Sequence, residues 1–416
     1  MSGARCIYTL LLYALLPYVL LRLLWRAVRQ TAYLEHVPER FGYYKEKAGA
    51  PLIWLHAVSV GETRAAEPLV QALRARYPQY RILLTHMTPT GREAGEQIFG
   101  DGVVRCYLPY DYPGAVRRFL GHFRPRIGIV METEIWPNLI HACGIGRVPL
   151  YLVNARLSEK SFLRYRRFPG LVQESLGGLA AVAAQGVDDA RRLSALGASN
   201  ISVTGNLKFD IEPPRDQLER GAAWKANHMM GRQVLLAAST RDGEEDLLLS
   251  MLPGLAVPGL LTVIVPRHPQ RFDEVAWLME ERGIRFQRRS ANAPLAPETQ
   301  VVLGDSMGEL FAYYAACDVA FVGGSLLPFG CHNLIEACAV GKPVLIGPST
   351  YNFAEAVEFA VKAGAARQVP DAKALAQEAL RLLKHPPEAQ HMAQAALAFC
   401  AAHRGATSKT LDLLKI

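Results

Sequence analysis

The 416-residue sequence has no C-x-x-C pair, and its seven cysteines (Cys6, Cys106, Cys143, Cys317, Cys331, Cys338, Cys400) are odd in number and scattered. That pattern excludes a disulfide scaffold and reads as reduced thiols of a cytoplasmic compartment, serving mostly as small apolar filler. Neither G-x-G-x-x-G nor G-x-x-x-x-G-K-S/T occurs, so dinucleotide-fingerprint and P-loop chemistry lack support. H-E-x-x-H is missing as well, which counts against zincins. Internal repeats and low-complexity tracts are lacking, and half the residues are hydrophobic while a fifth are charged. Disordered and collagen-like classes are thereby excluded, and the length suits two or three domains. Charge is only mildly one-sided: 46 Lys and Arg against 38 Asp and Glu give +8. Such an excess suits anionic partners, whether nucleotide, phospholipid or nucleic acid, and selects none of them.

One long uncharged run is present, Cys6 to Leu21 (CIYTLLLYALLPYVLL), with apolar character resuming over Leu23–Trp25. Its sixteen residues fall short of the ~20 that cross ~30 Å of hydrocarbon. Snorkelling by Arg5 and Arg22, with Tyr8, Tyr18 and Trp25 near the boundaries, makes up the difference. A secretory signal is the competing reading, but Leu20 to Arg29 offers no small-residue cleavage site. Arg22, Arg26 and Arg29 follow the run and only Arg5 precedes it, which leaves the remaining chain on the cytoplasmic side. A retained anchor over residues 1–30, spanning the bilayer or lying in its interface, is therefore expected.

Beyond residue 50, runs of three to five apolar residues alternate with amphipathic segments: Leu52–His56, Arg81–Thr85, Ile127–Met131, Leu150–Asn154, Val182–Ala184 and Ile201–Val203. After a proline-containing break the series resumes with Val234–Ala238, Leu261–Val265, Val301–Leu303, Val319–Val322 and Val344–Ile346. Short runs of this kind predict parallel strands buried on both faces and joined by crossover helices. Two sets of similar size predict two doubly wound α/β domains, 31–210 and 221–416, joined by a linker at 211–220. Ligands are expected at the carboxyl ends of the strands.

Several strand ends carry candidate chemistry. In HAVSVGET, Ser59-x-x-Glu62 forms a capping box. Glu62 either returns a hydrogen bond to the cap's own amide or stands at the cleft as an acceptor of a proton from an attacking hydroxyl. METEIWPN puts Glu132 and Glu134 on one side of an extended segment, with Asn138 beyond. A solvated loop is the plain alternative, and a divalent-metal site is weakly signalled without a third ligand. NARLSEKSFLRYRRF interleaves Arg156, Lys160, Arg164, Arg166 and Arg167 with Phe162, Tyr165 and Phe168, which suits a phosphorylated amphiphile, nucleic acid or simply a solvated basic helix. Lys208 of GNLKFD faces the cleft if the boundary is right.

In the second half, Pro266, Arg267 and His268 end a strand as a candidate phosphate contact. Ser306-x-x-Glu309 is a second capping box, with a helix start expected at Met307 to Leu310. Gly323-Gly324-Ser325 lets backbone approach a ligand closely. Asn333 is expected to cap a helix carrying Glu336, which either completes the cap or accepts from two ribose hydroxyls, with Gly341 ending that helix. His332 reads as a loop histidine.

In order along the chain, HAVSVGET, THMTPTG, METEIWPN, NARLS, GNLKFD, VPRHPQRF, GDSMGEL, FVGGSL, HNLIEA and IGPSTYNF together resemble the 3-deoxy-D-manno-octulosonic acid (Kdo) transferases of lipid A biosynthesis. The resemblance covers nearly the whole chain. It implies a GT-B glycosyltransferase of two facing Rossmann-like domains with an N-terminal membrane anchor, the first domain binding acceptor and the second the CMP-sugar. The implied reaction moves Kdo from CMP-Kdo to a lipid A precursor (lipid IVA) with inversion, at the cytoplasmic face of the inner membrane. No metal, cofactor or nucleic-acid partner is implied.

By resemblance, Glu62 falls on the general base, and Glu132 and Lys208 on positions that stabilise the transition state or organise the donor. CMP contacts fall on Pro266, Arg267, Gly308, Glu309, Leu310, Asn333, Leu334, Ile335 and Glu336. The basic-aromatic stretch and the anchor would hold the acceptor at the bilayer. Leu334 stands where the family often has proline, which predicts slightly weaker preorganisation. Two alternatives remain: a sugar-nucleotide epimerase of similar fold, needing no anchor, and a catalytically inactive membrane-tethered lipid-binding scaffold.

Overall fold

A computed structural model of the chain describes residues 2–45, 49–229, 231–255 and 257–416; the side chain of Arg29, counted above among the charges after the apolar run, lies outside the described residues. Two compact units result, one running to Asp210 and completed by His403–Ile416, the other Ile211–Ala402.

The first unit is built on a parallel sheet of β1 (Leu52–His56), β2 (Arg81–His86), β3 (Val103–Tyr107), β4 (Ile127–Met131), β5 (Leu150–Ala155), β6 (Ala181–Ala184) and β7 (Ile201–Val203), ordered β3-β2-β1-β4-β5-β6-β7. Its central strands are buried along their whole length. Side-chain alternation sends Leu52 and Trp54 of β1 into one core and Ile53 and Leu55 into the other, so helices must cover both faces.

The second unit repeats the plan with β8 (Val234–Thr240), β9 (Leu261–Pro266), β10 (Phe286–Arg288), β11 (Val301–Leu303), β12 (Val319–Val322), β13 (Val344–Ile346) and β14 (Ala366–Gln368), ordered β10-β11-β9-β8-β12-β13-β14. All pairings are parallel. Strand order reverses between β1 and β4 in one sheet and between β8 and β12 in the other, and such switch points open a crevice at the strands' carboxyl ends.

Two expected boundaries are corrected. The 221–416 domain loses its tail, because the final helix Ala406–Leu413 packs on the first unit: Ala406, Leu411 and Leu414 join the core beneath the first sheet. The amides of Gly405 and Thr407 donate to the Asp210 carboxylate, which caps the returning helix. An amphipathic pattern shows that a helix covers a sheet, not which sheet. Within the 211–220 linker, helix begins at Arg215 and runs to His228, since Pro213-Pro214 ends the extended stretch just ahead of it.

Among the described residues, no single helix is long and apolar enough to cross a membrane. The apolar run instead forms α1 (Gly3–Ala14) and α2 (Leu16–Arg29), bent by 49° at a break where Pro17 removes a helical donor. Arg5, expected to reach for the bilayer boundary, is buried: Nη1 donates to Glu174 Oε1 at 2.8 Å. The Tyr8 hydroxyl donates to Asp111 at 3.0 Å and that of Thr9 to Asn138 at 3.1 Å. The polar side of α1 is thus pinned to the body, leaving Ile7, Leu10, Leu11, Tyr18, Leu21, Leu24 and Trp25 exposed.

Candidate active site

In the first unit the segment after β1 folds back on itself. Ser59 Oγ accepts from the Glu62 amide at 3.4 Å and opens the helix Val60–Ala65. The reciprocal half of the box falls one residue earlier than expected: the amide of Val58, not of Ser59, donates to Glu62 Oε2 at 2.8 Å. Ser59 Oγ donates to Oε1 at 3.1 Å. THMTPTG supports this loop from below. Thr88 caps the helix Pro89–Phe99 and donates to Val58 O at 3.2 Å, and a Cβ at Gly91 would lie 2.9 Å from that same oxygen, so glycine is required for the approach.

Capping therefore explains where Glu62 is held, and its charge state is a separate matter. Burial raises its carboxyl from 4.5 to about 7, with the Glu132 and Glu134 charges pushing the same way and the Val58 amide opposing them. Glu132 follows β4 with φ 57°, a strained left-handed conformation for a non-glycine residue, and its amide donates to Val153 O at 2.9 Å. Its Oε1 lies 3.5 Å from Lys208 Nζ. Glu134 turns aside to accept from Trp136 Nε1 at 2.7 Å, and burial holds its carboxyl above the usual range. Among the described residues no cluster of three or more His, Cys, Asp or Glu side chains is arranged to hold a metal ion.

Lys208 rides on the one-turn segment Leu207–Asp210, which is held at three points. The amide of Leu207 donates to Asn154 Oδ1 at 3.0 Å, and Phe209 stacks on His403 with centroids 4.8 Å apart. With Asp210 capping the C-terminal helix, the GNLKFD motif places its lysine through the chain's last residues. The structure thus brings Glu62, Glu132 and Lys208 together at the switch point of the first sheet. The basic-aromatic stretch is divided: Phe162 and Tyr165 pack against the core, whereas Arg164, Arg166, Arg167 and Phe168 are exposed.

In the second unit β9 ends at Pro266, and the Arg267 amide donates to Thr240 O at 2.9 Å. Arg241 lies 2.9 Å from His268 Nε2, and its guanidinium covers the Phe329 ring at 4.7 Å. His332 is pushed down to about 3 by burial and by the charges of Arg267, Arg241 and His268, so it is neutral at physiological pH. Gly324, at φ 70°, admits that ring: a Cβ there would lie 3.0 Å from it. The segment Pro328–Cys331 is fastened to IGPSTYNF, as Gly330 N donates to Ser349 Oγ at 3.0 Å and Asn352 Nδ2 to Phe329 O at 2.9 Å.

Two expected helix starts shift. The helix Leu310–Ala316 begins after Glu309, because Gly308 at φ 77° breaks the turn before it. Ser306 still donates to Glu309 Oε2 at 2.5 Å, and Arg289 and Arg220 approach Oε1 at 3.6 and 3.8 Å. The helix Ile335–Ala339 begins two residues past Asn333, whose Oδ1 accepts from the Ile335 amide at 3.1 Å while Nδ2 donates to Glu336 Oε1 at 3.1 Å. Leu334 has φ −77°, within proline's range, and is fully buried, so packing fixes the angle that the ring would impose.

Sequence reasoning missed Glu244. It is fully buried, and its carboxylate accepts four amides, from Arg241 at 2.9 Å, Gly324 at 2.6 Å, Ser325 at 3.0 Å and Leu326 at 2.9 Å. One side chain thereby ties the loop after β8 to the loop after β12 on either side of the switch point. Three of its four partners lie some eighty residues away, beyond any local pattern.

Residues 35–211 match the family described as "3-Deoxy-D-manno-octulosonic-acid transferase (kdotransferase)", and residues 280–399 match "Glycosyl transferases group 1". The chain is 46% identical to a 3-deoxy-D-manno-octulosonic acid transferase of Bordetella pertussis over 99% of both chains. It is 38% identical to one of Haemophilus influenzae over 99% of this chain and 98% of that one. Among solved structures, a glycosyltransferase from Rickettsia africae superposes with a TM-score of 0.59 at 15% identity, covering 88% of this chain and 98% of that one. A UDP-GlcNAc 2-epimerase from Neisseria meningitidis bound to UDP-GlcNAc gives 0.59 at 17%, covering 87% and 99%. At such identities these structures speak for the GT-B fold alone, which transferases and epimerases share.

Proposed function

We propose a specific reaction from one premise: this chain belongs to the 3-deoxy-D-manno-octulosonic acid transferase family. It moves Kdo from CMP-Kdo to a hydroxyl of a lipid A precursor, lipid IVA, with inversion at the anomeric carbon. The observation that carries the reading is Glu62, a carboxyl raised to about 7 at a strand end, beside the Glu132–Lys208 pair. A hydroxyl with a pKa far above 7 must lose its proton as it attacks, and a base poised near the working pH supplies ~10²–10⁴-fold.

Lys208 and Glu132 organise the donor sugar, the cation meeting its carboxylate. In the second unit the cytidylate phosphate is met by Arg267 and by backbone amides at Gly308, Glu309 and Leu310. Pro266 flanks the nucleotide, and Asn333, Leu334, Ile335 and Glu336 hold it, with Glu336 accepting from the ribose hydroxyls.

The chain works at the cytoplasmic face of the inner membrane. α1 and α2 lie in the interface rather than crossing it, since the polar side of α1 is bonded to the body and its apolar side faces outward. Exposed Arg164, Arg166 and Arg167 meet the acceptor's phosphates.

The test is mass spectrometry of the purified precursor after incubation with CMP-Kdo. The expected result is product heavier by one or more Kdo residues, in numbers read against time. An unchanged precursor, with conversion of a soluble nucleotide sugar instead, would overturn the reading in favour of an epimerase.

A further inference from the structure

Below the catalytic end of the first unit, a groove of about 900 Å³ runs between the helices Pro113–Phe123 and Pro137–Ile145. Its walls carry Arg117, Arg124, Arg126 and Arg147, with His141 beside them, and no carboxylate lines it. These four arginines are exposed, and among the described residues none of them makes an ion pair. Leu120, Ile145 and Val148 supply an apolar side, and Ile145 is 74% exposed.

The floor is Arg5 of α1, 1% exposed. Its Nη1 is taken by Glu174, but Nε and Nη2 are buried without a hydrogen-bond partner among the described residues. A buried guanidinium with two unmet donors calls for an acceptor, and a tetrahedral phosphate offers several oxygens and the opposite charge. Surface arginines that merely solvate a helix would not need a fifth buried at the base.

We propose that this groove binds the phosphate of an anionic glycerophospholipid of the bilayer, Arg5 and the four wall arginines taking its oxygens and Leu120, Ile145 and Val148 its glycerol and first methylenes. The volume suits a headgroup rather than a bare ion. Location separates this site from the acceptor's reacting end. Arg124 and Arg126 precede β4 and Arg147 and Val148 precede β5, at the amino ends of strands whose carboxyl ends carry the catalytic groups. The inference rests on the interfacial placement of α1 proposed above. A lipid held here fixes how α1, and with it the unit, sits on the membrane surface.

The test sediments the full-length protein with phosphatidylcholine vesicles, with and without phosphatidylglycerol, in the absence of CMP-Kdo and acceptor. Phosphatidylglycerol is expected to strengthen binding at least ~10-fold, and Arg117→Ala/Arg124→Ala/Arg147→Ala to lose most of that gain while still binding neutral vesicles. Arg5→Lys, which keeps the Glu174 pair and gives up the inner donors, is expected to lose part of it. A matched removal of three cations elsewhere, Arg191→Ala/Arg215→Ala/Lys373→Ala, is expected to retain it.

Equal losses in the two triple variants, or no gain with phosphatidylglycerol in the parent, would overturn the site. Millimolar inorganic phosphate shielding the groove arginines from phenylglyoxal as well as the anionic vesicles do would overturn the lipid assignment. Transfer activity is read separately, so normal Kdo transfer without a phosphatidylglycerol gain rejects the groove and spares the reaction. Loss of binding to neutral vesicles would instead strike the interfacial placement.

Discussion

At the strand ends flanking its switch point the first unit gathers Glu62, Glu132 and Glu134, whereas the second gathers Arg241, Arg267, His268 and His332. The sheets beneath are alike in strand number, direction and order about the reversal. Both also place a left-handed non-glycine residue there, Glu132 after β4 in one and Ser239 near the end of β8 in the other. The difference lies in how acids are compensated. In the first unit the carboxyls receive few donors, and burial with mutual repulsion raises two of them. In the second, Glu244 is sated by four backbone amides and Glu245 accepts from Thr240 and approaches Arg271, so the cations set the local field. One topology thus gathers raised carboxyls in one copy and cations in the other, and the loops alone decide which.

The largest expected effect breaks the acidic half. Glu62→Gln should lower turnover by at least ~100-fold while leaving CMP affinity as it is, measured by product formation and by calorimetry. Unchanged turnover would remove Glu62 from the base role. Next comes the basic half. Glu244→Ala leaves four amides without their acceptor and should weaken CMP binding ~10-fold or more, with a melting temperature several degrees lower, and with partial rescue by Glu244→Gln. If CMP affinity held while stability fell, the carboxylate would serve packing alone.

The pH dependence sharpens the contrast. With Glu62 at about 7, the rate should rise through neutrality as the carboxylate forms, and Glu132→Gln should move that limb to lower pH by removing a repelling charge. The same shift bears on stability. Because the folded value lies above the unfolded 4.5, the contribution of Glu62 is fully present below about 4.5 and is lost as pH rises through about 7. Glu62→Gln should therefore gain on the parent as pH climbs from 5 to 8, by roughly 1–2 kcal/mol after screening. A constant difference across that range would contradict the raised value.

What the sequence disclosed follows from where water is. Strands buried on both faces, such as Leu52–His56 and Ile127–Met131, read as unbroken apolar runs and were found at their observed bounds. The three that went unread, β3, β10 and β14, are all sheet edges. There Arg105, Gln287, Arg288, Arg367 and Gln368 interrupt the apolar pattern, as edge strands require. At the site, Ser59-x-x-Glu62 was legible as a cap because its geometry is local. That Glu132 would raise Glu62, or that Glu244 would gather amides from another strand's loop, depends on strand order, which no run of residues encodes. The docking of α1 was hidden for the same reason. Arg5 looked like a flanking charge until Glu174 appeared beside it.

The smallest expected effect tests whether the acidic half is assembled from the chain's far end. Asp210 caps the helix Ala406–Leu413 and closes the turn that carries Lys208. Asp210→Ala removes an N-cap acceptor, at a cost of about 1 kcal/mol. If the turn merely supports the helix, the melting temperature drops slightly and kinetics stay as they are. If the cap positions Lys208 toward the donor, KM for CMP-Kdo should rise a few-fold with kcat nearly constant, and Asp210→Asn, which keeps one acceptor oxygen, should recover most of it. His403→Ala, removing the ring stacked on Phe209, should move KM in the same direction and by less, since stacking alone contributes about 1 kcal/mol. A double variant no worse than Asp210→Ala would mean that the two tethers hold one turn, and additive losses would mean that each acts on its own.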